Sequence, residues 1–351
     1  MGAPRALLAI YSVFFIEGFV LGNWIPRIPA VKELFGLSAT QLGFCLFALA
    51  FGTLIAFLFG GSRIKVWGLK ASCRYALVVW CLGIGLVPWM PNLSVLIGWL
   101  VLAGIAIGLC EIAMNTAADL YERDTKTRVM SKSHGFWSLG SLGGAVVGAG
   151  FASAEITVAT HFAVVLGLCV LVSLITTGPM AEGRSTKVEQ HTFKLPNRGM
   201  VALCLMPVGI MLIEGAFIDW SALFVQDVLA GSAVAIGAIY AAFSTVMAVT
   251  RLSGDWLLDR YGALRVAQVS AVSAVIGIAI FASAPNVGIA FLGALFSGLG
   301  VAIFYPLTMS AAAKRPGDAA DNVAAMSLFA FTSFMLGPPL LGAVADWAGL
   351  R

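Results

Sequence analysis

Apolar residues run along the chain in blocks of about twenty, the length a helix needs to cross roughly 30 Å of hydrocarbon. The blocks begin near Ala6, Ser38, Cys73, Leu93, His134, Val158, Gly199, Ser232, Leu264, Val287 and Val323. The pattern predicts an all-α integral membrane protein of eleven transmembrane helices. Pro, Gly and charged residues punctuate the blocks, as at Pro26 to Pro29, Pro88 to Pro91, Pro285 and Pro316. The one long polar stretch, EGRSTKVEQHTFKLPNR from Glu182 to Arg198, falls after six spans. The predicted organisation is a six-helix half over 1–180, a linker over 181–198 and a second half over 199–351 in which five spans are present. The opening MGAPRALLAIYSVFF has the basic residue and apolar run of a signal peptide. The run carries Glu17 and shows no A-x-A cleavage site, so it reads as a retained first span.

The two halves repeat. A shift of 194 residues lays Ser38, Ala39 and Gly43 on Ser232, Ala233 and Gly237, Gly60 on Gly254, Gly68 on Gly262, and Gly104 on Gly298. The segments IEGFVLGNW (Ile16 to Trp24) and IEGAFIDW (Ile213 to Trp220) match at a shift of 197, which makes Glu17 and Glu214 equivalent positions of the first and seventh spans. Parallel repeats of six helices suit a secondary transporter that rocks around a site near the bilayer midplane.

Composition agrees with the pattern: 60% of the 351 residues are hydrophobic and 11% charged, where soluble proteins carry nearer a quarter charged. With the loops assigned alternately, all of the 21 Lys and Arg except Arg27, Lys32 and Arg351 fall on one side. The positive-inside rule therefore predicts a multi-pass inner-membrane protein with the N-terminus and the linker in the cytoplasm, and the odd span count leaves Arg351 outside. The net charge of +4 implies no nucleic-acid partner, because the cations sit in short loops rather than a patch. No G-x-x-x-x-G-K-[ST] loop occurs, so direct ATP drive is not expected. The six cysteines show no paired or metal-ligand spacing, and no nucleophile–base pair stands out, so neither enzyme activity nor a metal or cofactor is expected.

Several motifs carry a resemblance: W-x-x-R-x-P at Trp24, Arg27 and Pro29; E-x-x-x-N at Glu111 and Asn115; HGFWSLG at His134 to Gly140; EGAFIDW at Glu214 to Trp220; DRYG at Asp259 to Gly262; and LGPPLLG at Leu336 to Gly342. Together they resemble the major facilitator superfamily over nearly the whole chain, and within it the bacterial YbjJ-like group. GLCEIAMN, Gly108 to Asn115, is also similar to fucose permease-type sugar–proton symporters, where a carboxylate in the fourth span works with one in the first. The resemblance implies two six-helix halves, a twelfth span beyond the present sequence, alternating access, and Glu17 and Glu111 as the paired carboxylates. It also implies a cytoplasmic latch at Asp259, Arg260 and Gly262; the matching loop of the first half, GGSRIKVWGLK, departs from that pattern with Lys65 and Val66.

Glu17, Glu111 and Glu214 are the carboxylates deepest within their spans, and no mid-span Lys or Arg is there to pair with them. A charge at the bilayer centre costs at least a few kcal/mol, so such groups face a cavity, stay protonated or meet a partner. Each Glu also has a purely structural reading as a protonated packing residue. Glu111, Asn115 and Asp119 form one stripe at 100° per residue. Tyr305 falls on Glu111 under the 194 shift and offers a hydroxyl. The expected proton and substrate cavity is thus Glu17, Glu111, Asn115, Glu214 and Tyr305. Asn23, Trp24, Arg27, Asp219 and Trp220 approach the outer interface, as an outer gate or, for the last two, as a solvated acid and a belt tryptophan. Asp119 and His134 join Asp259, Arg260 and Gly262 as a cytoplasmic gate, with His134 near Asp119 or Glu122. Gly140, Gly144 and Gly148 follow small-xxx-small spacing for close helix packing, and Gly337, Pro338 and Pro339 are expected to break the last helix. Three functions remain open from these residues: a proton-coupled transporter of a small solute, an efflux antiporter, and a transport-inactive sensor or scaffold. The partners expected are a small-molecule substrate, protons and the bilayer, with the chain acting as a monomer.

Overall fold

The computed structural model describes residues 3–127, 129–180, 198–316 and 319–350. Residues 181–197, all of the predicted linker before Arg198, lie outside the described residues, as do the cations Arg128 and Arg351. Among those described, the regular elements are all helical. They are α1 (Ala3–Trp24), α2 (Ile28–Phe35), α3 (Ala39–Trp67), α4 (Leu69–Gly85), α5 (Leu93–Thr125), α6 (Met130–Ser153) and α7 (Val158–Thr176), followed by α8 (Arg198–Leu223), α9 (Ala233–Leu252), α10 (Gly254–Tyr261), α11 (Ala263–Ala282), α12 (Val287–Ala313) and α13 (Ala319–Ala348).

Ten helices among the described residues are long and apolar enough to cross a membrane. The third hydropathy block is α4, a 17-residue helix that rises about 25 Å, just short of the usual span. A 3₁₀ turn over Ile25–Arg27 joins α1 to α2, and one π-helical turn, Phe224–Val228, extends α8. The last helix differs from the sequence expectation: α13 runs through Pro338 and Pro339 without interruption. In a bilayer such prolines are tolerated within a helix because neighbouring groups satisfy the freed carbonyls.

The chain forms two compact units, Met1–Leu37 with Phe44–Gln190, and Ser38–Gly43 with His191–Arg351. In the second unit the Asp346 carboxylate accepts hydrogen bonds from the backbone N–H of Ala39 (3.0 Å) and Thr40 (2.8 Å), tying those six residues to it.

The repeat seen in sequence persists in local geometry. Ser38 and Ser232 each accept a hydrogen bond from the backbone N–H three residues on, at 3.2 and 3.3 Å, and so cap α3 and α9. The same 194-residue shift relates the caps of α5 and α12: Asn92 accepts from Val95 N at 3.0 Å and Asn286 from Ile289 N at 3.1 Å. Gly68 and Gly262 precede α4 and α11 with φ of 82° and 75°, a region that favours glycine. Gly104 lies against the Leu49 carbonyl and Gly298 against that of Phe243, residues again 194 apart.

Within the first unit, α1 and α6 make the most extensive helix pair. Glycines create that seam. A Cβ on Gly18 would press into the Trp137 carbonyl, on Gly22 into that of Ser141, on Gly140 into that of Phe15, and on Gly144 into that of Phe19. Gly148 sits against Pro26 and Asn23. The partners advance together in both helices, so α1 and α6 run parallel. The packing role expected of Gly140, Gly144 and Gly148 is thereby visible, and Gly18 and Gly22 are its other side.

Candidate transport site

In the first unit the seam fixes Glu17. The glutamate follows Ile16 on α1 and is 3% exposed. The Trp137 indole N–H, on α6, donates to Glu17 Oε2. A second tryptophan, Trp80 on α4, donates to the Glu17 backbone carbonyl at 3.3 Å. Gly18 explains how Trp137 comes within reach: without a side chain there, the α6 backbone lies directly on α1. Glu111 on α5 is close enough for its charge to interact with that of Glu17. Asn115, one turn on, donates through Nδ2 to the Glu111 carbonyl oxygen at 2.9 Å, so its amide is partly spent within its own helix. The unit thus brings together two carboxylates and an indole donor inside a membrane-length bundle, and no Lys or Arg ion pair to either carboxylate occurs among the described residues.

The equivalent glutamate of the second unit is placed differently. Glu214 Oε1 lies 3.4 Å from Nη2 of Arg251, which is in the last turn of α9. The Arg251 Nε also donates to the Ala302 carbonyl of α12 at 3.0 Å. The sequence expectation that Glu214 has no cation to pair with is therefore corrected: Arg251 reaches inward from the helix end on its flexible stem. A Cβ on Gly215 would meet the Phe334 ring at 3.5 Å and the Phe334 carbonyl oxygen at 3.9 Å, ordinary contact distances, so Gly215 opens no close backbone approach of the kind made by Gly18. Tyr305, half-buried on α12, lies near Glu214 and Ser327 of α13, whose hydroxyl donates to Met309 Sδ at 3.6 Å. Glu214, Arg251, Tyr305 and Ser327 form a mixed polar group that is charge-balanced, unlike the pair in the first unit.

The outer residues expected on α1 do come together, inside the first unit. Asn23, fully buried, donates through Nδ2 to the Phe19 carbonyl at 2.8 Å, which turns its Oδ1 toward His161 Nε2 at 2.9 Å. Arg27, 4% exposed, donates through Nη2 to the Ile156 carbonyl at 2.7 Å. Trp24 packs near Phe162, and His161 stacks on Phe151 at 4.5 Å. His161 was not singled out by the sequence, where it follows Thr160 at the start of an apolar run with no motif around it. In the second unit Asp219 and Trp220 are 8% and 6% exposed, which removes the reading as a solvated acid and a belt tryptophan.

At the other end of the first unit Asp119 makes a 2.8 Å ion pair with Arg123 on its own helix, and Glu122 accepts from the N–H groups of Val129 and Met130 at the start of α6. His134 lies edge-on to Phe14, with ring centroids 5.2 Å apart. In the second unit Asp259 and Arg260 are exposed on α10, and Gly262 begins α11.

A family model described as the Major Facilitator Superfamily matches residues 10–340. The chain belongs to that superfamily. Superfamily relatives extend nearly end to end: an uncharacterized transporter of Sinorhizobium fredii is 31% identical, over 96% of this chain and 90% of its own length. The membrane protein MosC of Rhizobium meliloti is 26% identical, over 99% and 86%. Among solved structures, the nucleoside transporter NupG superposes with a TM-score of 0.75 at 13% identity, covering 100% of this chain and 93% of that one. The fucose:proton symporter FucP of E. coli gives 0.61 at 19%, covering 99% and 92%. At these identities the superpositions establish the fold. The chain is thus a multi-pass superfamily transporter of some solute, and the Sinorhizobium relative is itself named a transporter.

Proposed function

We propose that the protein is a proton-coupled secondary transporter of a small, neutral, hydroxyl-rich solute, working by alternating access of its two halves. The observation that carries this reading is the pairing of Glu17 with Glu111 in the first unit: two interacting carboxylates, one held by the Trp137 indole, with no cation among the described residues to balance them. A bilayer disfavours unbalanced charge, so a change in water access around the two carboxylates is coupled to the binding or release of a proton there. In the second unit Glu214 is already balanced by Arg251, which leaves Tyr305, Ser327 and the ion pair as donors and acceptors for a solute. Hydroxyl-rich solutes match such a set, and the named substrates of NupG and FucP have that character.

This division of labour gives Glu17 and Glu111 the coupling role and Glu214, Arg251 and Tyr305 the binding role, with Asn115 shaping the cavity. Asn23, Trp24 and Arg27 close the outer end of the first unit, and Asp219 and Trp220 serve the same end of the second. Asp119, His134, Asp259, Arg260 and Gly262 serve the cytoplasmic end. In this reading the cation asymmetry supports a cytoplasmic N-terminus, and the protein works as a monomer in the inner membrane. Placement in the YbjJ-like group rests on the W-x-x-R-x-P and HGFWSLG motifs. Uptake into proteoliposomes of labelled pentoses, hexoses and nucleosides, with and without an imposed inward proton gradient, tests the proposal. Gradient-driven accumulation of one of them supports it. Export driven by the gradient points to an antiporter, and no flux of any class in either direction points to a sensor.

A further inference from the structure

We infer that the first unit carries a specific site for an anionic phospholipid: one acyl chain lies in a groove between α1, α6 and α7, and Arg5 and Lys132 hold the phosphate at its end. The site is independent of the transport reading. The groove has a volume of about 450 Å³ and is walled by Leu8, Phe15, Phe19, Phe136, Leu168 and Val172. Of the two hydroxyl side chains that α1 lends to the groove, Ser12 Oγ is spent on the Leu8 carbonyl at 2.8 Å. Tyr11 stacks on Phe136 across α1 and α6, with ring centroids 4.6 Å apart. The rim is open: Leu8 is 65% and Leu168 57% exposed. An apolar slot of this size fits a narrow flexible chain and not a helix, which is about 10 Å across.

The parallel seam locates the headgroup. Phe15 faces Gly140, Phe19 faces Gly144 and Asn23 faces Gly148, a constant offset of 125 residues. By that register Arg5 comes level with residue 130, within roughly 3 Å along the axis of Lys132. Arg5 precedes Ser12 by seven residues, a drift of about 20°, so it stands on the groove face of α1. Lys132 lies one turn before Phe136 on α6. Both cations are exposed, and among the described residues neither makes an ion pair. Arg123, by contrast, is neutralised by Asp119 within its own helix. No carboxylate lines the groove. Two unbalanced cations at the mouth of an apolar slot select a lipid whose headgroup carries net negative charge.

Native mass spectrometry of the detergent-purified protein tests this, with phosphatidylglycerol and phosphatidylcholine of equal chain length as probes. Retention of phosphatidylglycerol should exceed that of phosphatidylcholine by an order of magnitude or more, since each cation near a membrane surface contributes about fivefold. The R5Q/K132Q protein should lose that preference, while R123Q keeps it. Leu168→Trp, at an already exposed rim position, should lower retention of both lipids by crowding the slot with the cations intact. Equal retention of the two lipids by the unaltered protein overturns the proposal. So does a preference that survives R5Q/K132Q, or a groove whose crowding only dissociates a dimer, since a second copy would then be its occupant.

Discussion

Gly140→Ala tests the seam on which the Glu17 site is built. A methyl at that position would overlap the Phe15 carbonyl oxygen and stand 2.9 Å from its carbonyl carbon and 3.0 Å from Phe19 N, where ordinary contact begins near 3.4 Å. All three atoms are backbone of α1, so no rotamer change relieves the clash. The helices must separate by about half an ångström or more, along a seam shared with Gly18, Gly22, Gly144 and Gly148. Overpacking of this kind costs about 1–3 kcal/mol. For a unit of this size that is a fall of about 2–12 °C in the unfolding midpoint. Gly167 on α7 is the control: a Cβ there meets nothing within 4 Å, and alanine favours the helix, so Gly167→Ala should hold or slightly raise the midpoint. Thermal unfolding in detergent, followed by a thiol-independent probe, reads both. A Gly140→Ala protein as stable as the Gly167→Ala protein would refute the account of the seam.

Further consequences follow from individual contacts. Trp137→Phe removes the hydrogen bond to Glu17 while keeping an aromatic ring, and should shift the pH dependence of transport while leaving the solute KM within about twofold; an unchanged pH profile would separate Trp137 from coupling. Replacing His161 by Leu leaves the buried Asn23 Oδ1 without its partner and should cost about 1–3 kcal/mol in unfolding measurements, whereas N23L/H161L should cost less than the sum of the single changes; strict additivity would deny the bond. Glu214→Gln should raise the solute KM and leave the proton-to-solute ratio intact, the opposite of a coupling carboxylate; a changed ratio in flux assays would overturn the division of roles. A reporter fused after Phe35 should report the outer side and one after Lys187 the cytoplasm, and the reverse pattern would contradict the charge asymmetry.

Which features were legible in the sequence follows from their range along the chain. Span positions, the caps at Ser38 and Ser232 and the glycine turns at Gly68 and Gly262 are local, and a 194-residue shift exposes them because each half folds by the same short-range rules. The packing role of Gly140, Gly144 and Gly148 was readable from spacing alone. The partners of the carboxylates were not. Trp137 is 120 residues from Glu17, and only the α1–α6 register brings it there. Arg251 counts as a loop cation by hydropathy, yet from the last turn of α9 it reaches Glu214, 37 residues away. The two IEG segments therefore look alike and sit in different surroundings, because a helix backbone presses on Gly18 while Gly215 has ordinary contact room. The uninterrupted α13 shows the same limit: proline signals a break in water, while a bilayer holds the helix together.

In the proposed function the Glu17–Glu111 pair carries the coupling proton. Its most direct test compares Glu17→Gln with the unaltered protein in proteoliposomes, using whichever pentose, hexose or nucleoside the unaltered protein accumulates. Two rates are measured: accumulation driven by an imposed proton gradient, and exchange of labelled for unlabelled solute with no gradient. Gln preserves the size and hydrogen bonding of the side chain but cannot release a proton. The account predicts that gradient-driven accumulation is lost while exchange persists. Accumulation by Glu17→Gln at the unaltered rate across the pH range would contradict it.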